Sequence, residues 1–230
     1  MMRVGTFFLG PGLRRVFLFL LLAWSGSVAA GSFEDFFKAI RRDDASQLIA
    51  LALRGFDMNT RDETNEVPLI LALKQDALKV ADFLASELSV DVNARNSADE
   101  NALMVAVLRG HRQIVDTLLS RKAHVNKPGW TPLHYAATND GDQGPKLVAL
   151  LLEHHAYIDA TSPNGSTPLM MAARYGDQRS VQILLDAGAD PSLRNQQGLS
   201  AIDFAQTVDR PKVVEAIAAV IRASRPKGGW

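Results

Sequence analysis

The chain has 230 residues, no cysteine and a formal charge of zero, with 25 basic residues set against 25 acidic ones. Without cysteine there are no disulfides, no thiol catalysis and no cysteine-based metal sites. Balanced charge also argues against nucleic acid as a partner, which demands a basic face.

The first 30 residues differ in kind from the rest. They carry Arg3, Arg14 and Arg15 and no acid, and the run from Val16 to Trp24 is wholly apolar. Small residues follow, with Val28 and Ala30 placed for cleavage. Segment 1–30 therefore reads as a secretory signal peptide cut between Ala30 and Gly31. An uncleaved anchor fits less well, because the apolar run falls short of the ~20 residues that span a bilayer. Arg14-Arg15-Val16-Phe17-Leu18 resembles the twin-arginine export pattern, but Leu13 stands where Ser or Thr is usual. The strongly apolar stretch after it favours the ordinary secretory route. Lacking cysteine, the cut site cannot take the lipid of bacterial lipoproteins. The expected location is periplasmic or secreted, with no membrane attachment once the signal is removed.

Beyond the signal, apolar spacing predicts helices over 33–41 and 45–53. A seven-residue phrase then recurs, beginning at Val67, Asn101, Thr131, Thr167 and Ser200, at steps of 34, 30, 36 and 33. In full it reads Thr131-Pro132-Leu133-His134-Tyr135-Ala136-Ala137. Thr131-Pro132 and Thr167-Pro168 place a hydroxyl cap before a proline at the first helical position. The alanines predict a thin first helix against which another can pack closely. A second helix follows each phrase, as in 181–186, and Gly188 can end it with positive φ. Asn164-Gly165 marks a turn. One unit is thus helix, turn, helix, finger. No unit buries its own apolar face, so units must stack.

A period near 33 carrying Thr-Pro-Leu-His-x-Ala resembles the ankyrin repeat. Gly110-His111, the Ile114 to Leu119 run, Gly188-Ala189-Asp190 and Val92-Asn93-Ala94 extend the likeness. The resemblance implies an all-α ankyrin-repeat solenoid of about six helix-turn-helix units with hairpin fingers. The units fall near 33–66, 67–100, 101–130, 131–166, 167–199 and 200–224, followed by a short tail, 225–230. The last helix, from Pro211, turns Val213, Val214, Ile217, Val220 and Ile221 to one side and Lys212, Glu215 and Arg222 to the other, as a terminal unit should.

Catalytic candidates fail. His111 and His134 stand where the ankyrin pattern itself has histidine. His154 ends a second helix, His155 replaces the usual glycine there, and His124 replaces an acid. His124 and His155 fall short of the three or four converging ligands a zinc site needs. No phosphate loop, Gly-x-Ser-x-Gly or His-Glu-x-x-His motif is present. No catalytic residue, metal or cofactor is expected.

Ankyrin-like stacks meet partners with their finger tips and first helices. The positions that the phrase leaves free are Glu66, Glu100, Trp130, Ser166 and Leu199 before it, and pairs such as Leu108-Arg109 and Arg174-Tyr175 after it. From these, together with Tyr135, the expected partner-binding set is Glu66, Glu100, Arg109, Trp130, Tyr135, Arg174 and Tyr175. Aromatic residues with arginine are the usual interface anchors. The alternative for Trp130 is packing on a neighbouring finger. The step of 30 shortens the finger 121–130, and the step of 36 places an insertion near 139–144. The expected function is non-enzymatic binding of another protein by a monomer. The alternatives are an exported effector or inhibitor, and a periplasmic accessory that holds or protects an enzyme.

Overall fold

The computed structural model describes residues 31–224; residues 1–30, read above as a signal peptide, and the tail 225–230 lie outside the described residues. Twelve helices follow one another in this stretch: α1 (31–41), α2 (Ala45–Leu53), α3 (Pro68–Lys74), α4 (Leu78–Ser86), α5 (Ala102–Arg109), α6 (Arg112–Ser120), α7 (Pro132–Ala137), α8 (Gln143–Glu153), α9 (Pro168–Tyr175), α10 (Gln178–Asp186), α11 (Ala201–Gln206) and α12 (Pro211–Ser224). Caps start several of them. Asn101 Oδ1 accepts from Met104 N at 3.0 Å, and the Asp203 carboxylate accepts from Ser200 N at 2.7 Å. These bonds satisfy amides that have no partner within the helix.

Odd-numbered helices pack in one row, α3 on α5, α7, α9 and α11 in turn. The alanines make this possible: Ala72, Ala106, Ala136, Ala172 and Ala205 are fully buried, so backbones approach closely. Leu69, Leu103, Leu133 and Leu169 fill the space between rows. Even-numbered helices form the second row, through the fully buried pairs Val80/Leu84, Val115/Leu118, Val148/Leu151 and Val181/Leu184. That row is uneven. Packing runs from α2 through α4 to α6 and from α8 through α10 to α12, but no comparable packing joins α6 to α8. At the end of the stack Val213 and Ile217 of α12 are buried while Lys212, Glu215 and Arg222 face solvent. Leu199, read from the sequence as free, is half-buried against the core.

Fingers lack strands among the described residues; one isolated antiparallel bridge joins Arg95 and Asn101. The fingers are closed instead by a repeated bond from residue i to i+4: Asp62 N to Glu66 O, Asn96 N to Glu100 O, Ser162 N to Ser166 O and Asn195 N to Leu199 O. A ladder of side chains fixes the register between fingers. Asn59 Oδ1 accepts from Asp91 N at 2.7 Å, Asn93 Oδ1 from His124 N at 2.7 Å and Asn126 Oδ1 from Tyr157 N at 2.8 Å. Asp159 takes the same place and accepts from Asp190 N at 3.2 Å.

The insertion near 139–144 is smaller than its span suggests, because Gln143 and Gly144 already belong to α8. The rest braces both neighbours. Asn139 Nδ2 donates to Leu108 O, Asn139 O accepts from Asp177 N, and Asp142 pairs with Arg179. The contact is tight enough to require glycine in the next unit. A Cβ on Gly176 would lie 2.1 Å from Ala137 O, a backbone atom of the preceding unit. Gly176→Ala is therefore expected to cost about 1–3 kcal/mol or more by forcing two units apart. Equilibrium denaturant unfolding checks this, and an unchanged midpoint would contradict the packing.

Candidate functional site

His134 anchors the middle of the first row. It is fully buried. Its Nδ1 accepts from Thr131 N at 3.2 Å and lies 2.9 Å from the Thr131 hydroxyl, and its Nε2 sits 3.0 Å from Ser166 O in the next unit. This network assigns a neutral ring with its proton on Nε2. Burial is the main force pulling its pKa down, to about 4. The unfolded chain takes up this proton near pH 6.5 and the folded chain only near 4, so stability is complete above pH 6.5 and falls between them. The loss is expected to reach about 3 kcal/mol at pH 4, at 1.36 kcal/mol per unit of pKa difference. Thermal melts from pH 7 to pH 4 beside a His134→Gln variant check this; equal slopes in both would contradict it.

Around His134 the structure gathers several of the expected partner residues. Glu66 and Glu100 are not free carboxylates. Both hold Lys74, at 2.9 and 3.0 Å. Asn96 and Tyr135 donate to Glu100 as well, at 2.9 and 3.1 Å. Partial burial works to raise the Glu100 pKa, but the bonds from Asn96 and Lys74 outweigh it and hold it below the usual range. Burial, with the Glu100 charge beside it, pushes Tyr135 up to about 12. This network ties three units together and fixes Tyr135. Arg109 is likewise engaged, with Asp76 at 3.1 Å and Lys74 O at 2.7 Å.

Trp130 lies just before α7 and meets two rings of that helix edge-on. Its ring centroid is 5.3 Å from that of His134 and 6.5 Å from that of Tyr135. With Leu108, Thr138 and Met171 these rings line a cleft of about 210 Å³. Leu108 belongs to α5 and Met171 to α9, so the cleft spans three units. Arg174 lies one turn beyond Met171 on the same face of α9. Its guanidinium stacks over the Tyr175 ring at 5.2 Å, and Tyr175 is half exposed.

Sequence reasoning missed Lys127. The ammonium of this residue is almost wholly buried, its side chain only 2% exposed. It pairs with Asp99 of the neighbouring finger and donates to Pro128 O and Trp130 O, each at 3.0 Å. The shortened finger, which lacks the i to i+4 closing bond found in its neighbours, is folded around this charge instead. Lys127 thereby sets the position of Trp130. The signal available was the short step itself, with a lysine inside it.

A wider opening, about 880 Å³, lies between finger loops and is lined by Asn126–Gly129 and Tyr157–Thr161. Burial, with the Asp190 carboxylate nearby, raises the pKa of Asp159 at its edge. Among the described residues no three His, Asp or Glu side chains converge as a metal site, and no helix is long and apolar enough to cross a membrane.

The family model for ankyrin repeats matches the chain in three overlapping copies, at 36–128, 88–162 and 125–195. Among curated proteins, an ankyrin repeat protein of Escherichia coli, YahD, is 34% identical over 146 residues, which are 61% of this chain and 72% of YahD. The nuclear factor NF-kappa-B p105 subunit of Mus musculus is 31% identical over 155 residues, 65% of this chain and 16% of that protein. Against several long relatives the chain spans only 8–26% of their length. Among solved structures, a chain from the complex of the Bd0816 predatory endopeptidase of Bdellovibrio bacteriovorus with immunity protein Bd3460 superposes with a TM-score of 0.68. That match has 26% identity and covers 80% of this chain and 97% of the other.

Proposed function

Because the chain belongs to the ankyrin-repeat family, we propose that it is a non-enzymatic module that binds a partner protein on the face shared by its first helices and fingers. The observation that carries this reading is the cleft of Leu108, Trp130, Tyr135, Thr138 and Met171, an apolar opening on a surface otherwise locked by internal ion pairs. Buried aromatic anchors dominate protein interfaces, and this is where such an anchor would seat. A photo-crosslinking residue at Tyr175, on this face, is expected to capture the partner. The same residue at Gln113, on the exposed side of α6, is expected to capture nothing. The opposite pattern overturns the reading.

The finer reading is an inhibitor or protector that acts outside the cytoplasm, as a monomer. Its support is twofold: the sequence of residues 1–30, and the likeness to a chain from a complex between an endopeptidase and an immunity protein. On this reading the partner is an exported hydrolase. Maturation provides a direct check. The exported protein is expected to begin Gly31-Ser32-Phe33, read by N-terminal sequencing. A protein retaining residues 17–22 in a membrane fraction would contradict it.

A further inference from the structure

The polar atoms around the cleft are unevenly committed. Both nitrogens of His134 are used, the Tyr135 hydroxyl donates to Glu100, and the Thr138 hydroxyl donates to Tyr135 O. The guanidinium of Arg174 pairs with no carboxylate among the described residues, and its Nε is buried without a hydrogen-bond partner. The other cations of this face are neutralised, Lys74 by Glu66 and Glu100 and Arg109 by Asp76. Arg174 is not; its one contact of note is the Tyr175 ring. Arg210 adds positive charge nearby, where it caps Ala172 O and Ala173 O at the end of α9. The facing carboxylates are Glu100, already held by Lys74 and Asn96, and Asp177, already held by Arg179.

An unpaired buried donor is costly, and a charged hydrogen bond that satisfies it is strong. The cleft volume of about 210 Å³ lies below the roughly 300–1,000 Å³ of small-molecule sites. It suits one side chain.

Resting on the protein-binding reading above, we propose that the cleft takes one apolar side chain from a loop of the partner protein, next to an acidic residue whose carboxylate pairs with Arg174. The pairing gives the groove a direction. The apolar residue lies between α5 and α9, and the acid lies at the Arg174 end of α9.

The test uses short peptides displayed on phage and selected on the purified protein, then synthesised as matched sets with Leu-Glu, Leu-Gln and Ala-Glu at the centre. Selection is expected to enrich an apolar residue beside an acid. Arg174→Gln is expected to weaken the Leu-Glu peptide about tenfold or more, as the loss of a charged hydrogen bond does, and to leave the Leu-Gln peptide unchanged. Trp130→Ala is expected to weaken both. Enrichment of basic or charge-indifferent peptides, no enrichment at all, or equal losses for Leu-Glu and Leu-Gln on Arg174→Gln would overturn the proposal. Failure of the wider reading looks different: peptides would bind yet ignore Leu108→Glu and Tyr175→Ala, and the crosslinks would form at Gln113.

Discussion

Leu169→Ala is expected to lower the unfolding free energy by about 2–5 kcal/mol, the range for emptying a packed leucine site. Leu169 has no exposed surface and lies on α9, between α7 and α11 in the first row and against α10 in the second. The hole therefore touches helices of three units at once. Leu169 itself has no exposure and sits on the packed side of α9, which leaves little room for collapse and places the cost toward the upper end. Leu88→Ala is the comparison, since Leu88 is 85% exposed, and is expected to change stability by less than about 0.5 kcal/mol. Leu199→Ala should fall between them because that side chain is half-buried against the core. Equilibrium urea unfolding measures all three, and similar losses for Leu169 and Leu88 would contradict the packing described.

Trp130→Ala is expected to weaken the partner by at least about 2 kcal/mol, or roughly thirtyfold in Kd, as removal of a central aromatic anchor does. The indole supplies one wall of the cleft, so its loss removes contact area. The helices should survive, because Trp130 precedes α7 and touches His134 and Tyr135 only by ring edges. Lys127→Met separates contact from placement. It keeps the indole but removes the ammonium that holds Trp130 O and Pro128 O, so it should also weaken binding while the cleft residues stay intact. Arg174→Ala should weaken binding less, and by an amount that shrinks as salt is added. Lys212→Ala, on the outward side of α12, should change nothing. Titrations of a partner recovered from periplasmic extract decide the matter; full affinity in the Trp130 variant would move the interface elsewhere.

The repeat phrase made most of the fold legible, because its chemistry is local. Proline after a capping residue at Thr167, buried alanines at 172 and 173, and Gly188 with φ of 94° each follow from one or two residues. His155 shows the same logic under strain, holding φ at 62° where glycine is usual. The candidate surface was less legible. Glu66 and Glu100 looked free because the phrase does not use them, yet each meets Lys74, and Asn96 donates to both. These partners lie 4 to 30 residues apart, on a helix and on two fingers, and only the folded stack brings them together. Lys127 was hidden for the same reason: its carboxylate, Asp99, lies in another finger. Residues 139–144 were legible as an excess but not as a brace between units.

The close packing between α5 and α7 has no counterpart between α6 and α8. A stack of nearest-neighbour interfaces yields first at its weakest one. Opening is therefore expected at this junction, along the second row before the first. Leu108 stands on one side of the junction and Trp130 and Tyr135 on the other, so the cleft straddles it.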